Sequence, residues 1–475
     1  MAITEFLEAP HRKTILSVPG RDSNTIGSES PLAVVRPWKE YEKILFRFFF
    51  LYFVLQAVPL DWKYYRDVFG SGFAFSLHDI FYMARYIPRI VADVPVFADW
   101  AILAAIALAG TAVWTFADRS RTEYTTLYYA LRVLVRYRLA VALLAYGFIK
   151  FFPLQMAYPS ISHLNTAYGD LEAWKIFSIS TGIVPGYQSF LGLVEIGAAL
   201  LLLNRKTATI ATFIILPFTG NVVMSNLAYE GGEYVYSLLL VTFALFLLVF
   251  DINRILRLTS FERTTQPNRY KPDFAAPGWK YGRLALKASF VFVFVFVYGY
   301  QAYAASTDGG YQYSNVPGLQ GAAGLYTVTE FRINDTALPY TTDDEEPRWR
   351  DVVFESWATL SIRSNRQASV VEANTEEIIA DPAERNYEYT GSAGRRYFSY
   401  TADTTAHTLL LTGKNVPGEE EASLLLHYTR PDAETIVLRG VNADNDSLHI
   451  VLNRVNKKYL LQEAAKGGRR QGLKL

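Results

Sequence analysis

Seven stretches long and apolar enough to cross a bilayer lie between Ile44 and Ala304, and a charged segment with strand-like alternation follows them. A segment immersed in hydrocarbon must satisfy its backbone hydrogen bonds internally, so these stretches are expected to be helices. The predicted spans are 44–60, 96–117, 133–152, 189–203, 208–227, 234–250 and 284–304. The chain therefore reads as an all-α membrane bundle of about seven transmembrane helices followed by an all-β soluble domain, which its 475 residues accommodate. The expected divisions are a cytoplasmic N-terminal segment (1–43), a transmembrane domain (44–304), an extracytoplasmic β domain (305–460) and a disordered basic tail (461–475).

Composition narrows the function classes. A formal net charge of +1 leaves no dominant basic surface, which argues against nucleic acid as a partner. The chain has no cysteine, so disulfides, thiolate metal ligands and thiol redox chemistry are excluded. The 31 Phe and 32 Tyr suit a bundle with ring-lined surfaces and interfacial belts. The polar start has no apolar core of its own, so no cleavable signal is expected and targeting falls to the first crossing.

Orientation follows from the short loops. Lys and Arg gather before the first crossing (Arg12, Lys13, Arg21, Arg36, Lys39, Lys43) and after the second (Arg119, Arg121). They recur at the foot of the third (Arg132, Arg136, Arg138), between the fourth and fifth (Arg205, Lys206) and across 251–283. If all seven spans cross, these regions share one side, which the positive-inside bias makes cytoplasmic. The C-terminal domain is then outside. The stretch Arg254–Arg283, with Pro267, Pro272 and Pro277, reads as an anchor to anionic headgroups.

Beyond Ala304 the segments 326–333, 352–362, 368–373, 387–389, 397–402, 408–412, 423–428, 435–440 and 447–454 alternate and are bounded by turn residues, as strands do. Eight or nine short strands in sequence order predict an up-and-down barrel or a sandwich. Gly324-Leu325-Tyr326 at the start and Arg454 at the end resemble the small lipocalin-like barrels. The resemblance implies an aromatic ring stacked on a late arginine at the barrel floor, with Tyr standing for the usual Trp.

Ionisable groups at membrane depth are costly and need a partner or a wet cavity. Lys150 near the outer end of the third crossing and Glu195 in the fourth match in height with Asn221 and Asn226 in the fifth and with Glu233 and Tyr236 at the start of the sixth. Tyr146 and Gln155 flank Lys150. One reading joins Lys150 and Glu195 as an ion pair or proton-handling couple beside a small-molecule pocket, with Asn221 bonding a carbonyl. In the other, Lys150 snorkels to the headgroups, Asn221 or Asn226 satisfies Glu195, and the set fixes helix register. Pro217 is expected to kink the fifth crossing. His78 beside Asp79 and His163 before Asp170 are weak metal candidates, since their spacing matches no ligand pattern, and no metal is predicted. The outer loops 67–89 and 164–184 have room for short helices that cap the bundle.

The segments Arg47–Phe53, Tyr146–Met156 with Tyr158-Pro159-Ser160, Glu195 and Asn221–Asn226 resemble the DoxX-like membrane proteins, in particular a long bacterial branch with extra crossings and an outer β domain. The resemblance places a four-helix unit at about 133–250, and Tyr-Gly-x-x-Lys-x-x-Pro-x-Gln is its most specific element. It implies a bacterial inner-membrane location, a periplasmic β domain and a redox association, since some relatives form the membrane part of a thiosulfate–quinone oxidoreductase. Lys150, Glu195 and Asn221 are the positions that carry over.

Two functions follow as expectations. In one, a redox-linked subunit, not an enzyme on its own, binds a quinone-like carrier at the outer leaflet and docks a periplasmic or membrane redox partner. In the other, a non-catalytic assembly or lipid-binding protein uses an open barrel to hold its ligand. Transport is the weaker idea, because no inverted repeat is evident.

Overall fold

A computed structural model of the protein describes residues 38–70, 72–265, 277–308, 311–341, 347–365, 368, 370–371, 378–382, 385–415, 423–442 and 445–467. The expectations for residues 1–37, for Arg269 and Lys271, and for the tail from 468 lie outside the described residues.

Every one of the seven apolar stretches is helical. In chain order the elements are α1 (Glu40–Ala57), the short α2 (Trp62–Phe69) and α3 (Leu77–Ala84), α4 (Phe97–Ala117), α5 (Thr125–Phe151), the single turn α6 (Ile161–Leu164), α7 (Ala173–Gly182), α8 (Pro185–Leu202), α9 (Ala208–Ala228), α10 (Tyr234–Val249) and α11 (Ile252–Thr259). The last long helix runs as α12 (Pro277–Val291), a π-helical turn (Phe292–Val297) and α13 (Tyr298–Thr307). Among the described residues, five helical segments are long and apolar enough to cross a membrane: Glu40–Phe69, Phe97–Ala117, Pro185–Leu202, Ala208–Ala228 and Gly278–Thr307. A sixth is reached if α10 and α11, bent by 67°, count as one span. The expected third crossing, α5, is long enough but carries Arg132, Arg136, Arg138 and Lys150, spread so that it has no long stretch as free of charge as those in the five.

α5 is the axis of the bundle: Leu139, Ala140, Leu144 and Ile149 are fully buried against neighbouring helices. Arg138 differs from the sequence reading. It does not serve the basic end of the bundle; its guanidinium donates to the carbonyls of Ala84 (2.7 Å) and Tyr86. These carbonyls lie at the C-terminal end of α3, where no intrahelical donor remains, so a buried cation resolves a buried helix end. The loop 61–96 thereby packs into the bundle instead of lying over it, with Ile80 and Phe81 wholly enclosed.

The β domain is a closed meander. β1 (Gly324–Ile333), β2 (Thr336–Ala337), β3 (Trp349–Phe354), β4 (Thr359–Ser364), β5 (Arg396–Asp403), β6 (Thr408–Gly413), β7 (Leu424–Thr429), β8 (Thr435–Val441) and β9 (Ser447–Arg454) pair in sequence order. β9 returns to β1 antiparallel with Tyr326 opposite Arg454. With the two-residue β2 as an edge hairpin, this is an eight-stranded antiparallel barrel, and closure leaves the eight strands no free edge. The barrel replaces the sandwich alternative. Its interior is filled by large side chains, among them Tyr326, Phe354, Leu409, Leu426, Ile450 and Leu452. Arg454 lies over the Tyr326 ring at 5.3 Å and donates to its hydroxyl at 2.7 Å.

Four readings of the C-terminal region are corrected. The segment 352–362 is two strands, β3 and β4, reversed through Glu355–Ala358, a turn without Gly, Pro or Asn to announce it. Residues 387–389 form a turn that inserts Tyr387 into the bundle core. The tail expected from 461 begins with a helix, α14 (Leu460–Gly467). Of 368–373, the described residues Ala368, Val370 and Val371 lie in no strand.

Candidate functional site

The site begins with two glycines. A Cβ on Gly192 would sit 2.3 Å from the Phe151 nitrogen and 2.4 Å from the Gly147 carbonyl, so α5 and α8 meet backbone to backbone. Beside this contact Lys150 Nζ donates to Glu195 Oε1 at 2.6 Å, with both side chains largely buried. Ser189 adds a bond from α8 to the Phe151 carbonyl at 2.8 Å.

Around the pair, α5, α8, α9 and α10 enclose a cavity of about 150 Å³. Its lining includes all seven candidates: Tyr146, Lys150, Gln155, Glu195, Asn221, Asn226 and Tyr236. Phe177 and Thr181 of α7 contribute from the segment above. Most of the surface is apolar, with Leu143, Leu191, Phe218 and Leu240 among the contributors. Tyr187 on α8 and Asn221 on α9 are the exposed members, so the cavity opens sideways between these two helices. Asn221 therefore stands at the mouth, and it is not among the groups that bond Glu195. Asn226 is structural as well as lining: its Oδ1 accepts from the Glu233 backbone (3.3 Å) and its Nδ2 donates to Val222 O (2.9 Å). A second ion pair, Arg85 with Glu233, lies at the start of α10 beside the cavity, and Tyr146 donates to the same carboxylate at 3.4 Å.

Several polar atoms here are buried without a hydrogen-bond partner among the described residues: both amide atoms of Gln188, Glu195 Oε2 and Thr219 Oγ1. Gln188 is fully enclosed. Each such atom costs about 1–3 kcal/mol if nothing meets it, so their concentration around one cavity marks a place built for a polar guest. Sequence reasoning missed Gln188 and Thr219 because neither is charged. A signal existed: Gln188 precedes Glu195 by seven residues, and Thr212, Thr219 and Asn226 repeat at the same interval, placing each set on one helix face.

The histidines do not meet. His78 packs on Tyr82 at 4.5 Å, while Asp79 forms a capping box with Ser76 at the start of α3. His163 accepts from Ser160 N on Nδ1 (3.2 Å), and its Nε2 bonds Glu388 O (2.8 Å), so both ring nitrogens are occupied. Among the described residues no group of three or more His, Cys, Asp or Glu could hold a metal ion.

His163 belongs instead to a polar junction between barrel and bundle. Glu355, in the β3–β4 turn, accepts from Ser162 N (2.7 Å), Ser162 Oγ (2.6 Å) and Ile161 N (3.2 Å) at the start of α6. Burial lifts its carboxyl above the usual range against the pull of these bonds. Buried Arg395 bonds Asp351 (2.5 Å) and Ser361 Oγ (2.7 Å) and reaches the Asn165 carbonyl. Lys175 donates to the Tyr387 carbonyl at 2.7 Å, and burial lowers its pKa to about 7 while Glu388 opposes the shift. Burial and the nearby Lys175 push the His163 imidazole well below its ordinary value. Lys175 lies on α7, the helix that supplies Phe177 and Thr181 to the cavity.

The chain matches no family model, no curated protein and no solved structure.

Proposed function

We propose that this chain is a multi-pass membrane protein of the DoxX-like type, seated in a bacterial inner membrane by seven crossings with the barrel on the periplasmic side. In this reading it is the membrane subunit of a redox system that holds a quinone-like carrier in the lateral cavity. Five apolar helices support the membrane setting, and the remaining two spans lie within the same bundle. The basic ends of α5 and α9 lie opposite the loops that meet the barrel, which agrees with the barrel outside.

The observation that carries the ligand reading is the cavity itself: a mostly apolar slot, open toward the side, with a few convergent polar groups. A volume near 150 Å³ is that of a pocket that takes a benzene-sized ring. The residues present fit such a guest. Lys150 Nζ, Gln188 Nε2 and Thr219 Oγ1 are donors for ring carbonyls, while Tyr146, Phe177 and Tyr236 supply apolar faces. A bound quinone would supply two-electron, two-proton chemistry. The chain's own part is to orient the ring, exclude water and present the Lys150–Glu195 ion pair to it. An isoprenoid-type tail would leave through the gap between Tyr187 and Asn221.

The reading in which the barrel holds a lipid is weakened by the large side chains that fill the barrel interior among the described residues. The test is solvent extraction of the detergent-purified protein, with the extract analysed for quinones, followed by quinone titration against thermal unfolding. Co-purified quinone and a raised melting temperature, both lost in E195Q and Q188L, are the expected results. A protein that carries no quinone and whose melting is untouched by added quinone ends the proposal.

A further inference from the structure

The opposite end of the bundle carries a second, differently built recess. Arg132 and Arg136 from α5, Arg205 from the α8–α9 connection, and Ala208 and Thr209 from the start of α9 line it, with Val133 and Leu247 as apolar walls. Three guanidinium groups border this space and no carboxylate does. Like charges gathered where apolar helices lower the dielectric repel, and an anion relieves that repulsion.

The first turn of α9 adds a second, independent attraction. No side chain caps this 21-residue helix: the Thr207 hydroxyl donates backwards to the Leu201 carbonyl at 2.6 Å. The free backbone N–H groups of the first turn thus open beside Ala208 and Thr209, where the helix dipole favours negative charge. Asp251, nearby, is engaged by Thr209 Oγ1 (2.6 Å) and Arg254 (3.3 Å), and its charge also acts on Arg132, so one carboxylate faces several guanidinium groups and positive charge stays in excess. Arg132 is held in place by the Phe250 ring, 3.3 Å from its guanidinium carbon to the centroid, and its Nε is buried without a hydrogen-bond partner among the described residues.

We infer that this recess binds the phosphate of an anionic phospholipid headgroup, through the arginines at 132, 136 and 205 and the uncapped start of α9. The recess is small, about 20 Å³, so one or two phosphate oxygens enter while the rest of the headgroup stays outside. The geometry suits a lipid better than free phosphate, because the apolar flanks of α9 and α10 continue from the site and receive acyl chains. The inference rests on the membrane reading of the bundle and is independent of any quinone.

Native mass spectrometry of the full chain, delipidated in mild detergent and titrated with phosphatidylglycerol or phosphatidylcholine, tests it. One phosphatidylglycerol should be retained about tenfold more strongly than phosphatidylcholine, and R136Q should remove most of that preference, as expected for losing one charge-assisted contact. R205Q, in the α8–α9 connection, should reduce it as well. Equal retention of the two lipids, or an unchanged preference in R205Q and R136Q, overturns the inference. Millimolar inorganic phosphate should compete only weakly; full displacement by phosphate overturns the lipid source. Partition of the chain into the aqueous phase without detergent would instead refute the membrane setting.

Discussion

The barrel core and the bundle cavity solve the same problem in opposite ways. Inside the barrel, Tyr326 finds Ala322 O (2.9 Å) and Arg454, Tyr400 accepts from Leu319 N (2.7 Å), and aliphatic side chains fill what is left. Inside the bundle, close packing stops at about 150 Å³ of space bordered by an ion pair and by polar atoms that no described residue meets. Stability explains the first arrangement. It does not explain the second, since replacing an unmet buried polar group by an apolar one of like shape is neutral or stabilising. The difference supports the proposed placing of a ligand in the helical half, with the barrel side holding one wall of the cavity through Lys175.

The comparison breaks first if the cavity is an accident of loose packing. Gly192 then tolerates enlargement. We expect the reverse: G192L leaves no properly folded protein, because its side chain would start 2.3 Å from the Phe151 nitrogen. G197A, with nothing within 4 Å of the added carbon, should fold normally. Size-exclusion profiles in detergent separate the two outcomes.

The ion pair comes next. K150M leaves Glu195 buried without its cation and should cost about 3–5 kcal/mol, read as a large fall in melting temperature. The double variant K150M/E195L should recover most of that loss. If K150M alone melts like the wild type, Lys150 reaches the headgroups instead and the pocket loses its charge.

The two interiors can then be set against each other directly. L411A, in the barrel core, should cost about 2–5 kcal/mol through lost burial and a new void. Q188L should leave stability level or raise it by about 1 kcal/mol while weakening ligand binding. A destabilised Q188L would make Gln188 a structural amide and place it with the barrel's satisfied groups.

How much of this was legible follows the same divide. Helices announced themselves because a run of apolar residues has one solution in hydrocarbon, and six barrel strands because alternation has one solution at a wet surface. The turn at Glu355–Ala358 did not, since its fold depends on Glu355 reaching α6, a contact some 190 residues away in sequence. In the site, Lys150 and Glu195 stood out as charges within apolar runs. Gly147 and Gly192 could not, because a glycine pair has meaning only once two helices are known to touch. Arg138 misled for a related reason: a cation in a helix can serve either the nearer membrane face or a buried carbonyl.

The smallest effect is a slope, and it tests whether the barrel's hold on α7 is as dry as the contacts make it. Burial lowers Lys175 from its ordinary 10.5 to about 7, so above pH 7 the folded chain carries a neutral amine where the unfolded chain carries a charged one. The unfolded state then binds more protons, and stability rises with pH from about 7 toward 10.5, by at most about 1.4 kcal/mol per pH unit. Below pH 7 both states are charged and this contribution flattens. His163, lowered in the fold by burial and by Lys175, acts below its ordinary 6.5, and Glu355, raised by burial, acts from its ordinary 4.5 upward in wild type and lysine variant alike. Tyr397 and Tyr387, raised by burial, act above pH 10, so the interval from 7 to 9 isolates the lysine within this junction. K175M should flatten the rise in melting temperature between pH 7 and 9 relative to the wild type. An equal rise in both proteins would mean that Lys175 is solvated and charged, and that the barrel does not grip the cavity's upper wall through it.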